Sequence, residues 1–258
     1  MKVITWNVNG IRAREGQVEE LLAREAPDLV CLQEIKAPAA KVPAPLRQPA
    51  GFHAVWHGES AYSGVSLLVS SALAAAPPAF GLPPFDFETR AVTAEVDGVT
   101  VASLYVPNGG KDFEAKLRFL EQLDGWAAAA QAAGRPLLLC GDLNVTRTEA
   151  DVHEKERRAG AIGQRDDERA LLGRFLSRGL TDVGRTLDPS NPALFTWWPP
   201  WRGLRQKNVG WRIDYVVASE ALARTATRCA VLPEFGTSDH APVVAEFTWR
   251  PAPATSAG

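Results

Sequence analysis

The sequence predicts a layered α/β sandwich, and three observations support this fold class. Short apolar runs that end in polar residues indicate buried strands, as at Val3-Ile4, Leu29 to Leu32 and Leu137 to Leu139. Residues 51 to 106 contain further runs separated only by turns, which is typical of antiparallel strands. Longer segments with apolar residues at helical spacing lie between the runs. This order of elements predicts mixed sheets with helices on the outside.

The first elements are a strand, a helix and a second strand. The first strand begins at Lys2, and Pro27 marks the exit from the helix into a strand over Asp28 to Gln33. The helix is predicted from apolar residues that recur on one face: Ile11, Val18, Leu21 and Leu22.

An antiparallel region follows. Strands are predicted over Gly64 to Val69, Ala91 to Val96 and Val99 to Val106. Asp97-Gly98 supplies the tight turn that joins the last two strands.

Two more helices are predicted, each with start or stop signals. Asp112 caps a long helix that ends before Gly134 and Pro136, where the strand at Leu137 begins. A further helix spans Asp166 to Arg178 and ends at Gly179. A last strand is predicted around Val243-Val244.

Five short polar motifs stand at the edges of apolar runs along nearly the whole chain. They are ITWNVNG at Ile4 to Gly10, LQEIK at Leu32 to Lys36, GDLNV at Gly141 to Val145, WRIDY at Trp211 to Tyr215 and SDHAPV at Ser238 to Val243. Because strand interiors are buried, the polar residues are expected where each sheet meets solvent. If those edges share one rim, the side chains converge on one site.

The converging set is rich in oxygen ligands and contains one imidazole: Asn7, Asn9, Glu34, Asp142, Asn144, Asp214, Asp239 and His240. Magnesium usually takes one or two protein carboxylates and leaves its other positions to waters and substrate phosphate oxygens, so the set suggests phosphate-ester chemistry. Asp142 and Asn144 stand two apart on one predicted strand and are expected to share a face. Asp239 and His240 are adjacent, so the sequence leaves open whether both serve one ion.

Composition narrows the class of protein. A single domain over residues 1 to 249 is predicted because a division in the middle of the chain would separate the motifs. Residues 250 to 258 contain mostly Pro, Ala, Ser and Thr and are expected to form a disordered C-terminal tail. The formal net charge of −2 argues against a protein that coats nucleic acid, but it does not exclude an enzyme.

The expected location is cytoplasmic. Three cysteines cannot all pair, and Cys31 and Cys140 lie in apolar runs, which indicates a reducing compartment. No signal peptide or transmembrane stretch is expected ahead of the strand at Lys2, so no membrane partner is predicted. Nothing in the sequence suggests an obligate oligomer, and a monomer is expected.

The motifs resemble those of the exonuclease III family of apurinic/apyrimidinic endonucleases, within the wider endonuclease/exonuclease/phosphatase fold. The resemblance runs from about Lys2 to Trp249 and includes YSGV at Tyr62 to Val65, YVPNGG at Tyr105 to Gly110 and KNVGWRIDY at Lys207 to Tyr215. It implies a four-layered sandwich, in which two facing mixed sheets are flanked by helices. It also implies a Mg²⁺ cofactor, with Mn²⁺ as a substitute.

The resemblance assigns a metal site and a catalytic group. Glu34 is the main Mg²⁺ ligand, Asp239 lies near the metal, and His240 contacts the scissile phosphate while Asp214 orients it. We expect Asp142 to activate the attacking water. The metal set also contains Asn7, Asp142 and Asn144. Asn144 would in addition orient the water or a phosphate oxygen, and Asn7 and Tyr105 would contact the phosphate.

The segment Phe195 to Arg212 combines aromatic and basic residues with no acidic residue, which is typical of a nucleic-acid groove. Trp198 is expected in the core, and Pro199-Pro200 favours an exposed loop. By resemblance, an apolar pocket for a flipped-out abasic sugar is formed by Trp197, Trp211 and Ile213. Trp201 stands in the loop that wedges into the duplex, where it departs from the expected residue type and leaves substrate preference open.

Further nucleic-acid contacts are expected on several loops: Asn9, Asn108, Lys111, Arg202, Arg205, Lys207 and Asn208. The basic cluster Lys155, Arg157 and Arg158 is another candidate, although a surface cation is often only solvated.

The leading prediction is a Mg²⁺-dependent DNA repair nuclease that hydrolyses the phosphodiester 5′ to abasic sites and leaves a 3′-hydroxyl. Its substrates would be double-stranded DNA with abasic sites or blocked 3′ ends, with 3′–5′ exonuclease and 3′-phosphatase activity implied by the resemblance. Direct attack by water is expected because no serine or cysteine forms a convincing nucleophile pair with an adjacent base. Two alternatives are a phosphatase or non-specific nuclease of the wider fold, and a nucleic-acid-binding protein without catalysis.

Overall fold

The computed structural model describes residues 1–249, and the predicted tail over 250–258 lies outside the described residues. The strands are β1 (Lys2–Asn7), β2 (Leu29–Gln33), β3 (Phe52–His57), β4 (Val65–Ser70), β5 (Ala79–Gly81), β6 (Ala91–Val96), β7 (Val99–Tyr105), β8 (Leu137–Asp142), β9 (Leu180–Asp182), β10 (Asp214–Ser219), β11 (Ala226–Val231) and β12 (Val243–Phe247). The helices are α1 (Glu15–Glu25), α2 (Ala44–Arg47), α3 (Phe113–Ala132), α4 (Asp166–Leu176), α5 (Val183–Leu187) and α6 (Glu220–Ala223). Short 3₁₀ turns lie at Ile11–Ala13, Ala39–Lys41, Glu149–Asp151 and Glu154–Glu156.

The strands of residues 1–249 form two six-stranded mixed sheets. The first has the order β11-β12-β1-β2-β4-β3, and the second has the order β5-β6-β7-β8-β10-β9. Each sheet contains one parallel pair, β1 with β2 and β7 with β8. The predicted antiparallel region is confirmed, and Asp97 and Gly98 join β6 to β7 with positive φ angles of 46° and 76°.

Apolar side chains alternate between two faces of each central strand and so build three cores. Leu29 and Cys31 of β2 pack between the sheets with Leu138 and Cys140 of β8. Val30 and Leu32 point outward to α1, whereas Leu137 and Leu139 point outward to α3 and α4. Three apolar cores between four layers confirm the predicted sandwich of two facing sheets flanked by helices.

The helix signals of the sequence are confirmed with small shifts of the bounds. The Oδ1 atom of Asp112 accepts from the amide of Ala115 at 2.9 Å and caps α3. The first helix begins at Glu15 rather than Ile11, because residues 11–13 form a 3₁₀ turn. The helix α4 ends at Leu176, two residues before the predicted Arg178. No helix among residues 1–249 is long and apolar enough to cross a membrane.

Strand direction brings the five motifs to one rim of the two sheets. β1, β2, β7 and β8 end there, and β10 runs antiparallel to β8, so its first residue, Asp214, pairs with Asp142. β12 runs antiparallel to β1, so the segment before it also arrives at this rim. The approach of β7 to β8 requires Gly141, where a Cβ atom would stand 1.9 Å from the carbonyl oxygen of Leu104.

Candidate active site

A pair of carboxylates at the rim is bridged by the amide of Asn7. This fully buried side chain donates from Nδ2 to Oε1 of Glu34 and to Oδ2 of Asp142, both at 3.0 Å. The hydroxyl of Tyr105 donates to the same Glu34 oxygen at 2.8 Å. Burial raises the pKa of Tyr105 well above its ordinary value of 10, which keeps the phenol a donor. Four residues of the predicted site therefore meet here. Asn7, Tyr105 and Asp142 stand at the ends of β1, β7 and β8, and Glu34 directly follows β2.

Glu34 carries a cationic partner that the sequence analysis did not assign. Nζ of Lys36 lies 2.7 Å from Oε2 of Glu34 and also donates to Oδ1 of Asn9 at 2.6 Å. Burial opposes ionisation of Glu34, but hydrogen bonds from Asn7 and Lys36 outweigh it and hold the pKa below 4.5. The only sequence signal for Lys36 was its place in the LQEIK motif.

The imidazole of His240 lies between two carboxylates. Its Nδ1 atom is 2.9 and 3.1 Å from the oxygens of Asp214, and its Nε2 atom is 3.8 Å from Oδ2 of Asp142. Burial alone would lower the pKa of His240, but the charges of Asp214 and Asp142 outweigh burial and raise it to about 10. Burial, with smaller contributions from neighbouring carboxylates, raises the pKa of Asp142 to about 7. The predicted pairing of His240 with Asp214 is present in the structure.

Asp239 points to partners different from those of its neighbour His240. Its Oδ1 accepts from Nδ2 of Asn9 at 2.8 Å, and its Oδ2 accepts from Nε1 of Trp197 at 2.9 Å. Burial would raise the pKa of Asp239, but the charge of His240 and these hydrogen bonds lower it. The structure thus places Asp239 beside Trp197 and links it to Glu34 through Asn9 and Lys36.

Asn144 does not share a strand with Asp142. β8 ends at Asp142, and Asn144 takes a left-handed conformation with φ of 51° in the following loop. Its amide donates to Oδ1 of Asp142 at 2.9 Å, and its Nδ2 donates to the carbonyl of Val106 at 2.9 Å. The prediction of a shared strand face was wrong because the chain turns here, although Asn144 still lines the cleft.

Glu34, Asp142 and His240 form a group that could hold a metal ion. One ligand atom from each lies within 4.8 Å of the other two. Nδ1 of His240 is taken by Asp214, so only Nε2 is available from the imidazole. The half-buried carboxylate of Glu34 and the buried one of Asp142 share a neutral amide and fit a hard divalent cation, which would offset their mutual repulsion. This donor set therefore fits a divalent-cation site. Asp239, which was predicted to lie near the metal, is not part of the set.

An aromatic wall stands next to this group. The rings of Trp197 and Trp211 meet edge to face at 5.4 Å, and their backbones are hydrogen-bonded. With Ile213 they line a cleft of about 340 Å³ that also contains the carboxylates and His240. Trp198 is 1% exposed, which confirms the prediction that it is a core residue.

The predicted nucleic-acid contacts fall into two groups. Trp201, at 58% exposure, and the side chains of Lys111, Arg202, Lys207 and Asn108 are exposed, as are those of Lys155, Arg157 and Arg158. Arg205 instead donates to the carbonyls of Pro233, Phe235 and Ser238 and stacks on Trp198, so its guanidinium is used inside the protein.

Asn208 is likewise occupied, because its Oδ1 accepts from the indole of Trp198 at 3.1 Å. Arg212, counted among the cations of the aromatic segment, is 2% exposed and bonds to Asp151 and Asp182. Contrary to the expectation that they face nucleic acid, these cations and this amide bond inside the protein, to partners 28 to 33 residues from Arg205, 10 from Asn208, and 30 and 61 from Arg212.

Several cleft residues were not found from the sequence. Ile162 and Gly163 line the cleft, and a Cβ on Gly163 would stand 2.7 Å from the Trp211 ring. Behind Tyr105, Arg90 lies 4.8 Å from the ring centre and donates to the hydroxyl of Tyr62 at 2.8 Å. The YSGV motif that contains Tyr62 was the only signal for this cluster.

Comparisons with known proteins show which family and which solved structures this chain is similar to. Residues 4–240 match the Endonuclease/Exonuclease/phosphatase family. An exodeoxyribonuclease of Bacillus subtilis is 33% identical over 250 residues, covering 94% of this chain and 98% of that protein. The structure of a Neisseria 3′ phosphatase, NExo, bound to a product DNA hairpin is similar with a TM-score of 0.87 at 34% identity, covering 96% of this chain and 100% of the other. An AP endonuclease from Archaeoglobus fulgidus gives a TM-score of 0.86 at 29% identity, with the same coverage.

Proposed function

The chain belongs to the endonuclease/exonuclease/phosphatase family, and we propose that it is a Mg²⁺-dependent DNA repair nuclease that cuts 5′ to abasic sites. Its similarity to an exodeoxyribonuclease and to an AP endonuclease supports a nuclease acting on DNA. The observation that carries the proposal is that one cleft holds both the Glu34, Asp142 and His240 group and the wall of Trp197 and Trp211. Hydrolytic groups and an apolar pocket thus face the same bound nucleotide.

His240 is suited to hold a phosphate oxygen. Its pKa of about 10 keeps the imidazole protonated at neutral pH, and Asp214 fixes the orientation of the ring through Nδ1. Nε2 is therefore a charged donor directed into the cleft, and because a protonated nitrogen cannot bind a metal, His240 is left out of the Mg²⁺ ligands. Such a donor stabilises the negative charge that develops on the phosphate during attack.

Asp142 is suited to accept the proton of an attacking water. Burial raises the pKa of Asp142 to about 7 in the absence of a metal ion. A bound cation would lower this pKa and keep the carboxylate ionised, as a group that accepts a proton must be. The amides of Asn7 and Asn144 hold its two oxygens in place. Glu34, with Asn7 and Asp142, would hold Mg²⁺, and Asp239 would act beside that site. When bound, the ion supplies Lewis-acid stabilisation of phosphate oxygens.

An abasic nucleotide fits this cleft better than an intact one. The cleft of about 340 Å³ is walled by Trp197, Trp211 and Ile213, which suits the apolar face of a sugar without a base. Flipping also costs least where no base must be unstacked. The exposed Trp201, with Arg202 and Lys207 on the same loop, would contact the duplex next to the lesion.

The decisive experiment uses a labelled duplex with one abasic-site analogue, incubated in Mg²⁺ or in chelator with wild type and Asp142→Asn. We expect a cut 5′ to the lesion with a 3′-hydroxyl end, abolished by chelator and reduced about 10²–10⁴-fold in the variant. Mn²⁺ should restore cutting after chelation. No cutting, with hydrolysis of a generic phosphate ester instead, would assign the protein to the phosphatases of the fold.

A second candidate activity is trimming of blocked 3′ ends, which the similarity to the 3′ phosphatase NExo favours. Trp211→Ala separates the two, because the aromatic wall should matter more for an internal abasic site than for a terminal phosphate. Equal losses on both substrates would remove the pocket argument. Binding of abasic DNA without cutting in either Mg²⁺ or chelator would instead indicate a binding protein.

We also propose that the enzyme works as a monomeric single domain in the cytoplasm. The residues that line the cleft span Glu34 to His240, so a division in the middle of the chain would split the site. Light scattering on a size-exclusion column measures the mass of the particle in solution. A dimer that dissociates with loss of activity would contradict this proposal.

A further inference from the structure

A fully buried ion pair lies behind the cleft without lining it. Lys116 of α3 and Glu168 of α4 each have 0% side-chain exposure and contact each other through Nζ and Oε2. Buried charges are retained only where they are paired and hydrogen-bonded. The hydrogen bonds of this pair therefore show which segments it serves.

The lysine holds two loops of the cleft. Its Nζ donates to the carbonyl of Asn144 at 2.7 Å and to the carbonyl of Asn108 at 3.3 Å. Both residues line the cleft. Asn144 in turn donates its amide to Oδ1 of Asp142, so one residue separates the ammonium of Lys116 from the proposed base.

The glutamate holds the third loop. Its Oε1 accepts from the amides of Gly163 and Arg165, and the carbonyl of Gly163 accepts from the amide of Thr146 at 2.8 Å. Gly163 packs against the ring of Trp211 so closely that a Cβ would stand 2.7 Å from it. Glu168 thereby sets the distance between this loop and the aromatic wall.

From these contacts we infer that Lys116 and Glu168 are positioning residues, which lock the loops of Asn108, Asn144 and Gly163 in the geometry that cleavage needs. The inference rests on the proposed nuclease function for its activity readout. The pair does not line the cleft, and its hydrogen bonds to the cleft loops are all to backbone groups, through which we expect its main effect on catalysis. The charge of Lys116 also interacts with Asp142, and the opposite charge of Glu168 offsets it. A displacement of about 1 Å at a reacting group can cost on the order of 10²-fold in rate.

The test variant combines Lys116→Met with Glu168→Gln. Both buried charges disappear together, while the new amide oxygen at position 168 can still accept from the backbone of Gly163 and Arg165, so the specific loss is the donor to Asn144 and Asn108. The matched control is Asp124→Asn, which removes the carboxylate charge of α3 that pairs with Arg174 of α4 and with Arg178 just after α4, away from the cleft. All measurements are made at a temperature where both variants are folded.

We expect the double variant to lose on the order of 10²-fold in kcat/KM, mainly in kcat, on duplexes with an abasic analogue or a 3′-phosphate. The control should stay within about twofold of wild type, because distant sites act independently. Amide hydrogen exchange should accelerate in the double variant over residues 106–110 and 143–147, and not over α3 as a whole.

Wild-type kcat/KM in the double variant would overturn the inference, as would faster exchange spread evenly over the protein. If wild type cleaves neither substrate, the proposed function fails. The exchange pattern still decides in that case whether the pair positions these loops.

Discussion

Arg212 offers a direct test of the buried charges that support the aromatic wall. Its Nε bonds to Asp151 at 2.7 Å, and its Nη1 and Nη2 bond to Asp182 at 3.0 and 2.7 Å. Arg212→Met leaves Asp151 with Arg185 at 2.7 Å. Asp182 keeps the backbone amide of Arg185 at 3.2 Å, but its remaining ion-pair partner is Arg147 at 3.8 Å. Breaking a buried pair on one side typically costs about 3–5 kcal/mol.

In a domain of this size that loss corresponds to a fall in Tm of about 6–20 °C. Thermal unfolding followed by far-ultraviolet circular dichroism measures it. The control is Arg228→Met, which breaks an ion pair to Glu246 with 45% and 36% exposed side chains. That change should cost about 1 kcal/mol or less.

The effect of Arg212→Met should depend on pH with a definite sign. Burial would raise the pKa of Asp151, but the charge of Arg212 and hydrogen bonds from Arg212 and Arg185 hold it below 3.8. In wild type the stabilisation by Asp151 is thus present above pH 3.8 and is lost as pH falls through the lowered pKa. In the variant, Asp151 loses the charge and hydrogen bond of Arg212 that lowered its pKa, so it takes up a proton at a higher pH than in wild type. The difference in Tm should therefore shrink between about pH 7 and about pH 4.

A fall in Tm no larger than that of Arg228→Met would refute the assignment of Arg212 as a structural cation. So would a difference that grows as the pH is lowered over that range. Reduced DNA binding with unchanged stability would restore the sequence-based interpretation of Arg212 as a phosphate contact.

Three further predictions concern the cleft and its rim. Trp201→Ala should leave Tm unchanged, because the ring is 58% exposed, and should weaken binding of an abasic duplex by about 1–3 kcal/mol. Fluorescence anisotropy measures the affinity, and an unchanged value would exclude stacking of Trp201 on the DNA. Arg205→Ala should lower Tm, because three carbonyls lose their donor, yet leave the salt dependence of DNA binding unchanged; a shallower salt slope would identify a phosphate contact. Asp214→Asn should reduce kcat about 10²–10⁴-fold and should lower the pKa of His240. NMR of the imidazole in metal-free protein measures that pKa, and an unchanged value would contradict the pairing of His240 with Asp214.

The sequence predicted the layers well because strand burial is a local pattern. Alternation of apolar residues in β2 and β8 directly separates the inner core from the outer cores, as for Cys31 and Leu32. That Glu34, Asp142 and His240 lie at sheet edges was also predictable, because polar residues next to buried strands mark the end of the sheet. Their convergence on one rim depends on strand direction, which the sequence pattern left open.

Partners that are distant in sequence could not be predicted. The carboxylates that bind Arg212 lie 61 and 30 residues away, and the carbonyls that bind Arg205 lie 28 to 33 residues away. The sequence of a segment rich in cations and tryptophans is the same whether the cations face solvent or bond inside the protein. Only the tertiary structure separates the exposed Arg202 and Lys207 from the two occupied arginines.

Backbone conformation at the rim was the other feature beyond the sequence pattern. Asn9, Glu34, Lys36 and Asn144 all have positive φ angles, between 46° and 51°. Such conformations are costly for residues other than glycine and persist only where the surroundings hold them. A pattern that extends each strand through its motif misses this turn, which explains the wrong strand assignment of Asn144.

The contacts that hold these strained residues are the same contacts that build the site. The carbonyl of Glu34 accepts from the amide of Gly10 at 2.7 Å, which fixes β2 to the chain after β1, while its side chain accepts from Asn7 and Tyr105. Asn144 is held from both sides, by Lys116 at its carbonyl and by Asp142 at its amide. Because each left-handed turn reverses the chain directly after a strand, the carboxylates stand at the open rim instead of continuing into the sheet. The hydrogen bonds that hold Glu34 and Asn144 in strained conformations are therefore the same ones that position the groups of the site.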